Sequence, residues 1–212
     1  MQMDAAKPVR RNARLAGFDY AQDGAYFVTM VTHGRACVFG DIVDGEMRVN
    51  AAGEMVEAVW RELPAHYPGV GVDWYVVMPN HFHGIVVLTS ANNNAVGAGS
   101  PGPDRGNENT AGGETPPLPR PSLPNIVAYF KYETTKRVNV QRGTAGARLW
   151  QRSYYDHIIR DEDDLARVRE YIELNPARWA EDEENLANAR NTDGAGTEGR
   201  DRVRRMNRTP RS

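Results

Sequence analysis

The feature that most constrains this fold is a thirty-residue stretch, 92–121, that cannot contribute to a hydrophobic core. Six glycines, six prolines and five asparagines occupy 17 of its 30 positions. Its few apolar residues follow neither a helical nor a strand period. A segment of this composition buries too little apolar surface to offset the entropy of ordering it. We therefore predict a flexible insert at 92–121, with 17–91 and 122–190 folding together as one domain.

Both ends of the chain are also too polar to pack. Residues 1–16 are predicted to form a basic flexible arm, and residues 191–212 an arginine-rich disordered tail. Of the 212 residues, 40% are apolar, and the mean hydropathy is −0.63. This balance suits one packed domain that carries polar extensions.

The first part of the domain alternates strand and helix patterns. β-Branched and aromatic residues predict strands at 25–33, 72–78 and 81–88. Asp44-Gly45 marks a turn that leads into a further short strand. Apolar residues at helical spacing begin at Ala51, and Pro64 and Pro68 are expected to break that helix.

The second part predicts a helix at 122–140, an extended segment within 148–160 and a helix at 161–175. Asp161 is a predicted N-cap, and Pro176 ends the last helix. Hairpins beside helices indicate an α+β fold, a mostly antiparallel sheet with helices packed on one face.

His81 and His83, in the motif "PNHFHG", lie two positions apart on a predicted strand. Side chains at i and i+2 of a strand project to the same side, so both imidazoles can approach one divalent cation. Two surface histidines beside a turn are the ordinary alternative. A metal site needs a third ligand, and the single cysteine, Cys37, provides no zinc-type pattern.

Tyr171 and Asn175 lie four residues apart on the predicted 161–175 helix, so they share one helix face. The asparagine amide oxygen suits Mg²⁺ or Mn²⁺, and tyrosine provides a phenol. The ordinary alternative makes Tyr171 a half-buried aromatic and Asn175 a helix cap.

Three stretches carry a resemblance to a known family: "MPNHFHGIVVL", "WQRSYYDHIIRDEDDL" and "REYIELNPARW". They resemble the single-tyrosine HUH transposases, an insertion-sequence-type transposase family, and are most similar to the REP-associated tyrosine transposases. The resemblance covers most of 17–91 and 122–186. It implies a ferredoxin-like HUH domain in which Phe82 separates the two histidines.

The resemblance also implies a chemistry. Tyr171 would be the nucleophile, and His81, His83 and Asn175 would bind a divalent metal ion, Mg²⁺ or Mn²⁺. The protein would cleave and rejoin single-stranded, hairpin or REP-like DNA through a 5′-phosphotyrosine, in DNA transposition and recombination. Tyr154 and Tyr155 are the second choice of nucleophile. Family relatives leave both a homodimer and a monomer open.

Positive charge is local, because the net charge is only −2. Residues 118–160 contain eight lysines and arginines against two acids. We predict DNA contacts within this stretch, and expect the acidic run 181–184 to face away from phosphate. The predicted DNA-binding residues are Lys131, Lys136, Arg137, Arg152 and Trp150. Near these charges, Trp150, Tyr154 and Tyr155 could stack on single-stranded bases.

Two further readings remain open at this stage. One is a domesticated DNA-binding protein or regulator that does not transpose DNA. The other is a metal-dependent hydrolase that uses water, for which no carboxylate lies near the histidines in sequence. The lone cysteine and the absence of a signal-peptide or membrane-length apolar run predict a cytoplasmic protein without membrane contact.

Overall fold

A computed structural model describes residues 17–90 and 121–185. The predicted arm, the predicted tail and all of the predicted insert except Pro121 lie outside the described residues. Six strands and three helices form in the described part: β1 Gly24–Val31, β2 Gly40–Val43, β3 Glu46–Val49, α1 Ala51–His66, β4 Val70–Val77, β5 His81–Leu88, α2 Leu123–Arg142, β6 Tyr155–Ile159 and α3 Glu162–Leu174.

The main sheet has four strands in the order β4-β5-β1-β6, and every neighbouring pair is antiparallel. Its strands and first two helices follow one another as β1-α1-β4-β5-α2-β6. This is the connectivity and strand order of the ferredoxin-like split βαβ arrangement. The predicted α+β class with a mostly antiparallel sheet is confirmed.

The helices lie on both faces of this sheet, and the prediction of a single helical face is wrong. Trp60 of α1 and Phe130 of α2 pack on Phe82 of β5, with ring centroids 4.7 and 5.2 Å apart. Helix α3 packs on the other face, where Val168 and Ile172 join a second buried cluster with residues of β1 and β5. The central strands carry apolar side chains on both faces, so a helix is needed on each side.

Helix α1 begins at an Asn50 cap, whose side chain accepts hydrogen bonds from the backbone N–H groups of Ala52 and Gly53. The helix continues to His66, so Pro64 does not end it as predicted. A proline this close to the C-terminus removes one backbone hydrogen bond, and the packed apolar face of α1 is long enough to tolerate that loss.

Helix α3 is held against the sheet by polar contacts on two different strands. Asp161 caps it, as predicted, by accepting from Asp164 N at 2.8 Å. The buried Asp164 carboxylate accepts from His157 Nε2 of β6 at 2.9 Å. On the far edge, Arg169 Nε donates to Asp73 of β4 at 3.2 Å. These contacts fix the helix that carries Tyr171.

Among the helices of residues 17–90 and 121–185, none has the length and apolar character that crossing a membrane requires.

Candidate metal centre and nucleophile

His81 and His83 project from the start of β5 to the face covered by α3, and both are almost fully buried. Their ring centroids are 4.5 Å apart. Burial lowers the pKa of His81 to about 3, Asn175 opposes this shift and Arg35 adds to it. Burial, and then His81, hold the pKa of His83 well below its usual value. Both imidazoles are therefore neutral, which is the state that binds a metal ion.

The ring of His81 is oriented by its neighbour Asn80, which is fully buried. The Asn80 amide group donates to the backbone oxygens of Arg35, at 3.1 Å, and Glu184, at 2.7 Å. These bonds leave Asn80 Oδ1 as an acceptor 2.9 Å from His81 Nδ1. The network therefore assigns the proton of His81 to Nδ1 and a free lone pair to Nε2.

The ring of His83 is held by β1. Thr29 lies opposite His83 in the β1–β5 register, and Thr29 Oγ1 is 2.8 Å from His83 Nδ1. The second nitrogen of this ring is thus also left facing the site. Outer contacts of this type orient metal-binding histidines.

Three buried polar atoms in this region lack a hydrogen-bond partner among the described residues: His81 Nε2, His83 Nε2 and Asn175 Oδ1. Asn175 nevertheless lies beside both His81 and Tyr171, since it raises the pKa of the first and lowers that of the second. No well-formed hydrogen bond accompanies these effects. Unsatisfied buried polar atoms are costly, and these acceptors fit a cation.

Asp182 is a further potential ligand that sequence reasoning missed. The ligand atoms of His81, His83 and Asp182 all lie within 4.8 Å of one another, and Asp182 Oδ2 is 3.8 Å from His81 Nε2. Burial is the main cause that raises the pKa of Asp182. Nitrogen and oxygen ligands of this kind suit Mn²⁺ and Mg²⁺.

The acidic run 181–184 was expected to face away from phosphate, but Asp182 and Glu184 lie beside the histidine pair and its neighbour Asn80. A 3-10 segment, Pro176–Glu181, follows α3 and returns the chain to the histidines. Glu184 Oε2 there pairs with Arg35 Nε at 3.1 Å. No local signal could have shown this, because the acids and the histidines are brought together only by tertiary packing.

Tyr171 lies directly beside the histidine pair. Its ring meets His83 edge-on, with centroids 5.2 Å apart, and packs against Phe27 at 5.9 Å. Burial, followed by the charge of Asp182, raises the pKa of Tyr171 to about 12. The structure therefore brings Tyr171, Asn175, His81 and His83 into one site, and the phenol there is protonated at neutral pH.

The alternative tyrosines lie farther away. Tyr155 of β6 is opposite Thr29, and Thr29 is opposite His83, so Tyr155 lies two strand spacings from His83, roughly 10 Å. Tyr154 packs with the core on the other face, and Lys131 Nζ is 5.5 Å from its ring centroid. Of the three tyrosines, Tyr171 therefore lies nearest the histidine pair.

The predicted DNA-binding residues are divided by the structure. Lys131, Lys136, Arg152 and Trp150 line a cleft of about 440 Å³ between α2 and the loop before β6. Arg137 lies outside this cleft, and its guanidinium pairs with Glu62 of α1 at 2.9 Å and with Glu133 at 3.8 Å. Its charge is partnered by these two acids, so the structure adds no support for Arg137 as a DNA contact.

Trp150 does not offer a face to stacking bases, and that part of the prediction is wrong. The side chain is 7% exposed and packs against Phe39, with centroids 5.1 Å apart. Its Nε1 donates to Thr134 Oγ1 at 2.8 Å. Trp150 is therefore a core residue that forms the floor of the cleft.

No family model matches this sequence. Solved structures that are similar to it include two transposases. One is a REP-associated tyrosine transposase bound to a REP hairpin, with a TM-score of 0.45 and 17% identity, covering 78% of this chain and 72% of that chain. The other is a candidate transposase from Deinococcus radiodurans R1, with a TM-score of 0.41 and 18% identity, covering 76% of this chain and 95% of that chain. These similarities are too weak to carry a functional argument.

A sequence relative is much more similar. Over 179 residues the chain is 33% identical to an uncharacterized protein of Haemophilus influenzae, covering 82% of this chain and 92% of that protein. The chain therefore belongs to the same protein family as this Haemophilus influenzae protein.

Proposed function

We propose that this protein is a metal-dependent endonuclease and strand transferase. In this proposal it cleaves and rejoins single-stranded, hairpin-forming DNA in DNA transposition, with Tyr171 as the nucleophile. One observation carries the proposal: the Tyr171 ring contacts His83 at the point where two neutral histidines present unpartnered Nε2 atoms. The resemblance of the histidine and tyrosine motifs to HUH transposases supports the same reading.

The residues that would hold the metal are His81 and His83 through Nε2, together with Asn175 and Asp182 through oxygen. A bound Mg²⁺ or Mn²⁺ supplies Lewis-acid activation of the scissile phosphate. Asn80 and Thr29 contribute by holding the two rings with Nε2 directed into the site.

Tyr171 would form a new bond from Oη to phosphorus while the bond from phosphorus to the 3′ oxygen breaks. The products are a 5′-phosphotyrosine and a free 3′-OH, which can reverse the step and join strands. The phenol must lose its proton on the way. A pKa of about 12 rather than ~10 makes this loss about 3 kcal/mol harder than in water, so the occupied site must lower that cost.

The test is incubation with a labelled hairpin single strand and Mn²⁺, followed by denaturing electrophoresis to detect a covalent adduct. Tyr171→Phe keeps the ring and its packing, so it should remain folded and form no adduct. Tyr155→Phe is the matched control and should form adduct normally. An adduct on Tyr171→Phe would refute the assignment. A wild-type protein that binds the hairpin without forming adduct would favour the non-transposing DNA-binding alternative.

Asp182 supports a second candidate, a metal-dependent hydrolase that uses water. That reading required a carboxylate beside the histidines, and Asp182 Oδ2 is 3.8 Å from His81 Nε2. It predicts that Tyr171→Phe still cleaves phosphodiesters, without adduct, and that Asp182→Asn does not cleave. Loss of all cleavage in Tyr171→Phe would exclude it.

A further inference from the structure

The charged residues that line the cleft beside α2 are all positive. Four of its side chains are cationic and none is acidic. One wall is α2 and the other is the segment 146–152 that leads to β6. Its lining residues are Lys131, Tyr132, Thr135, Lys136, Asn139, Gly146, Ala147, Arg148, Leu149, Trp150, Gln151 and Arg152.

Two of these cations have no acidic partner in the described part of the chain, and a third is exposed although it pairs with an acid. Arg148 and Arg152 are exposed and make no ion pair or side-chain hydrogen bond within the described ranges. Lys136 is exposed and only 3.5 Å from Glu133 Oε1. Lys131 has a structural task instead, because its Nζ donates to the backbone oxygens of Gln151 and Ser153 at 3.0 and 2.9 Å. It joins the two walls and leaves the other three charges facing solvent.

An exposed aromatic lies among these charges. Tyr132 of α2 is 63% exposed, whereas the neighbouring Trp150 is 7% exposed. Lys136 Nζ lies 5.9 Å from the Tyr132 ring centroid. A solvent-facing aromatic beside exposed cations is the combination by which proteins bind single strands, since the ring stacks on a base while the cations contact phosphates.

The cleft adjoins the end of the sheet that carries the metal ligands. Gln151 N donates to Val31 O at 2.8 Å, and Val31 lies opposite His81 in the β1–β5 register. Gln151 is therefore about two strand spacings, roughly 10 Å, from His81. A strand bound in the cleft can continue round this end of the sheet to the site.

We propose that this cleft binds unpaired nucleotides next to the cleavage point, with Tyr132 stacking on a base and Lys136, Arg148 and Arg152 contacting phosphates. The proposal rests on the proposed DNA function and names the part of the substrate that this surface takes. The ligand is single-stranded, because in a duplex both faces of each interior base are already stacked.

The experiment measures fluorescence anisotropy of a labelled short oligothymidylate, which forms no hairpin, with full-length protein carrying Tyr171→Phe to prevent covalent capture. Tyr132→Ala should weaken binding by roughly 5- to 150-fold, the effect of losing one base stack. Tyr132→Phe should leave it unchanged. Arg152→Ala should remove about one phosphate contact. The slope of log affinity against log salt concentration should then become shallower by roughly 0.7.

Val140→Ala is the matched control, because Val140 is also exposed on α2 but does not line the cleft. It should bind as the parent does. Unchanged binding by Tyr132→Ala, or an equal loss of binding to a blunt duplex, would overturn the proposal. An adduct assay on protein that retains Tyr171 separates this result from the proposed function. If adduct forms but binding does not depend on Tyr132, only the cleft proposal is refuted. If binding depends on Tyr132 but no adduct forms, only the proposed chemistry is refuted.

Discussion

Replacing Thr29 with valine tests whether the orientation of His83 controls metal binding. Thr29 Oγ1 is 2.8 Å from His83 Nδ1, and His83 is buried. Valine keeps the β-branched shape that suits β1 and removes only the hydroxyl group. His83 Nδ1 then loses its hydrogen-bond partner while the ring stays packed against Phe27, at a centroid distance of 5.4 Å.

The size of the effect follows from the role of Thr29. Loss of an outer contact to a metal-binding histidine typically lowers metal affinity 10- to 100-fold, about 1.4–2.7 kcal/mol. A buried imidazole nitrogen without a partner should also lower the free energy of unfolding by about 1–3 kcal/mol. Because the ligand atom itself remains, saturating metal should restore adduct formation.

The assay is a calorimetric Mn²⁺ titration, paired with adduct yield as a function of Mn²⁺ concentration. Thr29→Ser keeps the hydroxyl and should retain most of the affinity. Thr134→Val removes a buried hydroxyl on the opposite face, where Thr134 accepts from Trp150, and should cost stability without altering Mn²⁺ binding. A folded Thr29→Val protein with wild-type Mn²⁺ affinity would refute the reasoning.

Three other predictions test the support of the site. Gly84→Ala should lower the free energy of unfolding, measured in urea, by about 1–3 kcal/mol, because the new Cβ would lie 2.5 Å from Trp60 Cζ2. An unchanged free energy of unfolding would show that the core around Trp60 can shift to accept the methyl group. Burial alone would raise the pKa of Asp164, but the hydrogen bond and charge of His157, together with hydrogen bonds from Arg160 N and Arg167, lower it. The stabilisation from this ionised carboxylate is thus present above its unfolded pKa of ~3.9 and is lost as pH falls through the lower folded value. Unfolding curves at a series of acid pH values should show that the free energy of unfolding falls less with decreasing pH for Asp164→Asn than for wild type. The same pH dependence in both proteins would contradict this. Asp182→Asn should weaken Mn²⁺ binding in the titration above, since a carboxylate is a stronger ligand for a hard cation than an amide; undiminished affinity would remove Asp182 from the site.

Local periodicity determined much of the candidate site from sequence alone. The two-residue repeat of a strand places His81 and His83 on one face, and the helical repeat places Tyr171 one turn from Asn175. The Asp161 cap and the turn at Asp44-Gly45 were likewise readable. These features depend on residues a few positions apart, so their relative geometry follows from the local backbone conformation, extended or helical, whichever elements pack around it.

Only the tertiary structure decided which elements meet. Thr29 reaches His83 through strand pairing, and Asp182 reaches His81 because the chain turns back after α3. The sequence also could not tell that Trp150 is buried while Tyr132 is exposed, although both lie in the same basic stretch. Large amphipathic aromatics are stable in either setting, and which one is covered depends on the shapes packed against it. The position of helix α3 on the second face of the sheet was unreadable for a related reason. Hydropathy shows that a central strand is apolar on both sides, but it does not show which helix packs on each side.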